Sequence, residues 1–301
     1  MISQVEVTSA RSLAECYALL AQRPAGLRVL AGGTDLMVQL TAGIGVERLG
    51  HALDIWRVPE LRQLSFENGT LRLGALTTYA ELIESPLIAT HAPALAAVSR
   101  EIGAWAIQNR GTLGGNVCNA SPAGDSLPLL LAAQAVFVVG GPRGERQIPS
   151  SEFFVGYRKT ALGADELLLR IEVESDEQAG RMVYRKVGTR RAQSISKTLL
   201  AVRAQMRQGV LHRVRIAAGC LGPVPMRCYA AEAAAEGKRF EPRSLPGARA
   251  PVDASEVAAV QAALDADVKP IDDIRSTAHY RRRVSGNVLA QLLAELSGTT
   301  A

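Results

Sequence analysis

Aromatic residues are scarce in this chain: Phe, Trp and Tyr together make up 4% of 301 residues. A nucleic-acid-binding surface legible in sequence needs a concentrated basic face interleaved with stacking aromatics, so the net charge of +5 does not argue for one. The densest basic clusters, Arg181, Arg185, Lys186, Arg190 and Arg191, then Arg281, Arg282 and Arg283, read as a solvated face or a subunit contact. Cysteine is equally sparse. Cys16, Cys118, Cys220 and Cys228 show no C-x-x-C spacing and no partnership with the scattered His51, His91, His212 and His279, which argues against a zinc or iron–sulfur site and for free thiols in a reducing compartment. No run approaches the ~20 apolar residues that cross a bilayer, and Met1 to Ala10 has no basic segment leading into an apolar one. A cytoplasmic protein with no membrane span and no nucleic-acid partner is expected.

Familiar catalytic signatures are missing too. Gly43-Ile44-Gly45 is followed by Arg48 where a dinucleotide fingerprint needs its third glycine, and Gly237-Lys238 runs into Arg239 without the upstream glycine of a P-loop. There is no G-x-S-x-G, no H-E-x-x-H, and no His and carboxylate spaced as a nucleophile and its base. Rossmann, P-loop and hydrolase readings are left without residues.

What the chain does contain is glycine beside small polar residues, twice: Val29-Leu30-Ala31-Gly32-Gly33-Thr34-Asp35-Leu36 and Gly111-Thr112-Leu113-Gly114-Gly115-Asn116. Glycine reaches φ > 0 and lets amides converge on an anion, while a neighbouring hydroxyl adds a hydrogen bond without bulk. Two such loops suit a ligand with a diphosphate bridge. Asp35 would hold a sugar hydroxyl or cap the following turn, and the first segment alone is equally an ordinary tight turn. The second is more specific, because it runs straight into Ala120-Ser121-Pro122-Ala123-Gly124-Asp125-Ser126-Leu127-Pro128.

The remaining pattern gives the framework, and 48% hydrophobic residues are enough for two or three packed units. A helix is expected over residues 12 to 23, with Ser12 as N-cap and Glu15 completing a capping box, then a strand from Leu27 to Ala31 delivering the chain into the first glycine loop. Strands over 49 to 56 and 70 to 76, a hairpin turn at Asn68-Gly69, helices from Thr78, from Pro93 to Ile102 and from Pro128 to Ala133, and a strand from Ala135 to Val139 come next. Past residue 180 the pattern changes to antiparallel strands, Met182 to Val187, Lys197 to Met206 and Val214 to Ala218. Helices over 229 to 237, 253 to 265 and Asp272 to Leu296 come last, the final one carrying a core stripe of Tyr280, Val284, Val288, Leu292 and Leu296. Strands first and helices afterwards indicate a separate α+β unit.

Taken together, Ala31-Gly32-Gly33-Thr34-Asp35-Leu36 and Thr112-Leu113-Gly114-Gly115-Asn116, with Ala120-Ser121-Pro122 and Asp125, closely resemble the FAD-binding medium subunit of the molybdenum hydroxylases, the group of xanthine dehydrogenase, carbon monoxide dehydrogenase and hydroxybenzoyl-CoA reductase. The resemblance covers nearly the whole chain, through Tyr184-Arg185-Lys186-Val187 with Arg190, Ala217-Ala218-Gly219 with Gly222-Pro223-Val224-Pro225, and Arg275-Ser276-Thr277-Ala278-His279-Tyr280-Arg281. It implies an α+β fold. A vanillyl-alcohol-oxidase-type FAD-binding domain of two α/β subdomains (residues 1–57 and 58–178) would precede a C-terminal α+β domain of antiparallel sheet and helices (179–298).

The resemblance further implies that Val29 through Leu36, including Leu30, Ala31, Gly32, Gly33, Thr34 and Asp35, line the diphosphate and ribityl chain of FAD. Thr112, Gly115 and Asn116 would complete the diphosphate cradle, with Ser121 beside it and Asp125 on a ribose hydroxyl or nearby backbone. Ile102 would pack against the ring system, Leu169 would be a second flavin-packing position, and Lys186 would approach the flavin from the third domain. A lysine there would favour the anionic reduced flavin. The partners implied are a molybdopterin-binding large subunit and a small subunit with two-iron two-sulfur clusters, in a dimer of heterotrimers. Electrons would leave to NAD, a quinone or another acceptor. Two departures matter: only Cys118 lies near the second glycine segment, so the extra iron–sulfur cluster of some members is not expected, and Gln193 falls about where eukaryotic xanthine dehydrogenase relatives carry an acidic residue, which leaves NAD as acceptor open. Two other readings stay open, a stand-alone flavin oxidase or reductase using Tyr157 and Arg158, and a nucleotide-binding regulatory module without catalysis.

Overall fold

The computed structural model describes residues 5–22, 24–43, 49–190, 193–240 and 254–298. Arg23, Ile44, Gly45, Arg48, Arg191 and position 253, which entered the sequence-based expectations, lie outside them. A three-stranded parallel sheet comes first. Strand β1 (Glu6–Ser9) leads into helix α1 (Leu13–Gln22), strand β2 (Leu27–Leu30), helix α2 (Leu36–Ala42) and strand β3 (His51–Asp54), with β3 between the other two. Helix α1 starts one residue after Ser12, whose hydroxyl accepts from the Glu15 amide, but the Glu15 carboxylate reaches the Arg11 amide at 2.7 Å rather than Ser12. Buried Cys16 and Leu20 of α1 join Leu53, Ile55, Leu76, Leu167 and Leu169 in one apolar cluster, so the small sheet shares its core with the next unit of the chain.

A 3₁₀ turn (Pro59–Leu61) passes to a second, wholly antiparallel sheet in the order β4-β5-β10-β6-β7. The hairpin of β4 (Leu64–Glu67) and β5 (Thr70–Gly74) turns at Asn68 and Gly69 with φ of 51° and 79°, the left-handed pair a two-residue hairpin requires. Helices α3 (Tyr79–Glu84), α4 (Pro86–His91), α5 (Pro93–Ser99), α6 (Trp105–Gln108), α7 (Leu113–Asn119) and α8 (Leu127–Ala132) succeed it. Helix α5 ends three residues before the expected Ile102, and Gly103, at φ 57°, turns the chain into α6. The sheet is completed by β6 (Val136–Gly141) and β7 (Gly144–Pro149), then, after α9 (Ser150–Phe153) and the small ribbon β8 (Phe154–Gly156) and β9 (Lys159–Thr160), by β10 (Leu167–Glu174).

After α10 (Asp176–Ala179) a third sheet runs β11 (Arg181–Val187), β12 (Thr198–Arg207), β13 (Val210–Gly219) and β14 (Met226–Arg227), all antiparallel. Alternation along these strands divides them between two cores. Leu199, Ala201 and Ala217 pack in the cluster that holds Leu129 and Leu130 of α8, whereas Leu200, Val202 and Ile216 pack with Leu289, Leu292 and Leu293. Both faces are therefore buried, which explains the apolar run from Leu199 to Val202 within a strand buried from Thr198 to Ala204. Helices α11 (Tyr229–Ala235), α12 (Ala254–Asp267) and α13 (Ala278–Ser297) cover the far face. Helix α13 begins at Ala278 rather than Asp272, because Asp273 accepts from the amides of Arg275 and Ser276 and Thr277 then caps the helix through the Tyr280 amide.

The Arg281–Arg283 cluster is not the uniformly solvated face expected. Arg281 is buried, donates to the Lys197 and Cys220 carbonyls, and lies 2.7 Å from Asp273, while Arg283 is exposed. Lys186, from the other basic cluster, is buried as well. Among the described residues no helix is long and apolar enough to cross a membrane.

Candidate functional site

The site is a cleft of about 780 Å³ where the three units meet, a size within the range of roughly 300–1,000 Å³ of small-molecule and cofactor sites. Every residue from Val29 to Leu36 lines it, as do Ile102, Thr112, Gly115, Asn116, Asp125 and Lys186. Fourteen of the sixteen predicted positions thus meet in one place; Ser121 and Leu169 do not.

The first glycine segment continues directly from β2. The strand ends at Leu30, whose carbonyl accepts from the Ile55 amide, and Gly33 turns at φ 79° into α2. Asp35 holds the N-cap position without a capping hydrogen bond, which leaves its carboxylate facing the cleft. Protein packed around that carboxylate raises its pKa, against the opposing influence of Arg158 and Asn119. In the first turn of α2 the Met37 and Gln39 amides already donate to the Gly33 and Asp35 carbonyls, while Gly32, Gly33, Thr34, Asp35 and Leu36 line the same wall.

The second segment is the start of helix α7 rather than a loop. Thr112 is its N-cap, and its Oγ1 accepts from the Gly115 amide at 3.0 Å. Gly115 is not left-handed; of the two segments' glycines only Gly33 is. Glycine is needed here for approach instead. A Cβ on Gly114 would lie 2.5 Å from the Ala75 carbonyl oxygen, and one on Gly32 would lie 1.6 Å from that of Arg110. Backbone contact between the two segments, not a pair of left-handed loops, brings them together. Asn116 is held by the Ser126 hydroxyl, which donates to its Oδ1 at 2.8 Å.

Ser121 turns away from the cleft to accept from the Ala123 amide. Leu169 is buried in the cluster beneath the small sheet, while Leu167 and Leu168 line the cleft. The β10–β6 register shifts between Leu168 and Arg170, so Leu169 is the unpaired residue of a bulge and packs in the same cluster as Leu167. No feature of the sequence marked that bulge.

Lys186 enters from β11. Its ammonium donates to Asp125 Oδ2 at 2.6 Å and to the Glu101 carbonyl at 3.1 Å, and the lysine side chain is 2% exposed. Ser196 donates to the other Asp125 oxygen, so both are engaged within the protein. Burial raises the Asp125 pKa, with Lys186 and Ser196 acting in the opposite direction. Tyr184 donates to Glu101 Oε1 at 3.0 Å, and Ile102 is the next residue on the wall. Near the mouth, Arg190 closes its loop on the Gln193 carbonyl.

Sequence reasoning missed Tyr79, Leu162, Leu167 and Leu168 on the walls. The Tyr79 hydroxyl is buried without a hydrogen-bond partner among the described residues. The capping box of Thr78 and Glu81 announced a helix there, but nothing local announced that its first residue would face a cleft. Among the described residues no group of three His, Cys, Asp or Glu side chains is placed to hold a metal.

A family model described as the FAD binding domain in molybdopterin dehydrogenase matches residues 3–174, and one described as the CO dehydrogenase flavoprotein C-terminal domain matches 183–254. A xanthine dehydrogenase FAD-binding subunit of Escherichia coli is 31% identical over 289 residues, covering 95% of this chain and 94% of that protein. The carbon monoxide dehydrogenase medium chain of Hydrogenophaga pseudoflava is 30% identical over 291 residues, covering 96% and 95%. The solved structure of carbon monoxide dehydrogenase from that organism, lacking the Mo-pyranopterin moiety of its cofactor, matches with a TM-score of 0.88, covering 97% of both chains.

Proposed function

Because this chain belongs to the family of FAD-binding subunits of the molybdenum hydroxylases, we propose that it is the electron-transfer flavoprotein of such a complex, passing electrons from two-iron two-sulfur clusters of a small partner to NAD, a quinone or another acceptor. A molybdopterin-binding large partner would carry out the substrate's hydroxylation. The observation that carries this reading is the cleft: one continuous lining combines the Gly32–Leu36 backbone with apolar surface at Ile55, Ile102, Leu162 and Leu168. Such a wall fits a ligand that is polar at one end and flat and apolar at the other.

FAD, when bound, supplies a redox centre able to exchange electrons singly or in pairs. The chain's own residues bind and orient it. The Gly32–Leu36 backbone offers amides to a diphosphate without burying a mobile cation, and the Asp35 carboxylate, free of capping duty, is available to a sugar hydroxyl. Thr112 lines the cleft and also caps α7 by accepting from the Gly115 amide. Lys186 contributes a fixed positive charge near the Ile102 end of the cleft, held there by Asp125 and the Glu101 carbonyl. No acid–base pair is required of a chain that relays electrons.

The stand-alone oxidase reading needs Tyr157 or Arg158 at the cleft. Tyr157 is exposed and neither side chain is among the lining residues, although Arg158 reaches the wall by donating to Asn119 at 2.8 Å.

Purified chain reconstituted with FAD should be yellow, inert toward organic reductants such as purines and aldehydes, and reduced rapidly by a chemically reduced two-iron two-sulfur partner. Turnover of an organic substrate by the isolated chain would overturn the assignment.

A further inference from the structure

Trp56 lies just beyond β3, at the junction between the first sheet and the second. Two arginines from elsewhere place their guanidinium groups over its indole: Arg110 at 3.8 Å from the ring centroid and Arg62 at 4.4 Å. Arg62 also donates to the Trp56 carbonyl at 2.9 Å, and its other nitrogen lies 3.9 Å from Glu81, the residue that closes the Thr78 capping box. Thr78 in turn forms a β-bridge with Thr112. Arg110 immediately precedes Gly111, and its Nε lies 3.5 Å from the Gly32 carbonyl. Neither Trp56 nor either arginine lines the cleft.

These contacts link the first glycine segment, through Trp56, to the N-terminal end of the second. We propose that the Arg110–Trp56–Arg62 stack is a latch that holds the two glycine segments at cofactor-binding separation before the cofactor arrives, so that these three are positioning residues for the dinucleotide. The inference rests on the flavoprotein reading for its ligand, but not for its mechanics. Arginine suits the role because its planar cation stacks on an aromatic face while its N–H groups stay free to bond in plane. Ordering the two segments in advance lowers the entropy lost on binding.

The test is hydrogen–deuterium exchange of the full chain without cofactor, alongside FAD affinity from quenching of flavin fluorescence. Arg110→Ala should speed exchange at Met37 and Gln39, which donate to the Gly33 and Asp35 carbonyls, and across Gly111–Asn116, while leaving exchange in β12 and α13 unchanged. It should weaken FAD binding by about tenfold, the scale of one well-placed cation–ring contact. Arg110→Lys, which keeps a cation over the ring, and Trp56→Phe, which keeps a ring under the cation, should each recover part of both effects, whereas Trp56→Ala should not. Unchanged exchange in Arg110→Ala overturns the latch whatever the affinity. Faster exchange with no difference in FAD affinity overturns its role in binding. If the unmodified chain shows the latch-dependent exchange but takes up no FAD, the latch stands and the flavoprotein reading falls.

Discussion

Lys186 Nζ lies 2.6 Å from Asp125 Oδ2, joining residues 61 positions apart in a contact that leaves the two side chains 2% and 10% exposed. The pair fastens the third sheet to the floor of the cleft. It explains why a lysine stands in an otherwise half-apolar strand, and why Asp125 is not available as a free carboxylate.

Breaking this pair from one side should be costly, since it strands a buried charge. Lys186→Met or Asp125→Leu alone is expected to lower stability by about 3–5 kcal/mol, and the double variant by much less. Chemical denaturation of the four proteins checks this; additive losses would show that the charges do not act on one another.

Gly32→Ala should eliminate FAD retention with little change in secondary structure. The new Cβ would fall 1.6 Å from the Arg110 carbonyl oxygen, and since both groups belong to backbone, the glycine segments must part. Gly115→Val should also impair retention, through displacement of Thr112 Oγ1, 2.8 Å from the added Cβ, and loss of the cap rather than through φ. Far-UV circular dichroism with flavin content measures both; full flavin content in Gly32→Ala would contradict the packing argument.

Glu166 anchors the segment that leads into Leu167 and Leu168 on the cleft wall. Hydrogen bonds from Arg146 are the main cause of its lowered pKa, aided by the Gly163 amide against the effect of burial. A carboxyl depressed on folding contributes stability that is complete above its ordinary value of 4.5 and is lost as pH falls through the lower folded value. Glu166→Gln should therefore flatten the fall in Tm below pH 4.5, by a modest amount because Arg146 is half-exposed. A Tm profile over pH 3 to 7, compared with the unmodified chain, reads the difference; identical slopes would remove Glu166 from the account.

Neighbouring arginines on α13 should behave differently. Arg281→Ala removes the donor to the Lys197 and Cys220 carbonyls and one of the several donors to Asp273, and a loss of several kcal/mol is expected, in keeping with broken buried networks. Arg283→Ala, at an exposed position, should stay within about 0.5 kcal/mol. Thermal unfolding of the two variants separates them.

Local signals carried most of the framework. The Asn68-Gly69 turn, the Thr78 cap, the apolar strands and the two glycine segments each depend on residues within a few positions of one another, so composition and spacing are enough to read them. Placement of the cleft residues from Val29 to Leu36 and from Thr112 to Asn116 came from the resemblance of those segments to a known family. Leu169 lies outside the cleft lining, at a bulge that depends on the partner strand.

Sequence alone established that glycine, a small hydroxyl and an Asp or Asn recur in two distant segments, since that is a property of covalent order. Folding was needed to decide what each does: that Gly32 is bare to admit the Arg110 backbone, that the Gly115 amide goes to Thr112, that Asp125 answers to Lys186, and that Trp56 is shared by two arginines. Each of these depends on groups brought together across tens of residues by burial of apolar surface, a collective and non-directional force that leaves no mark at any single position of the chain.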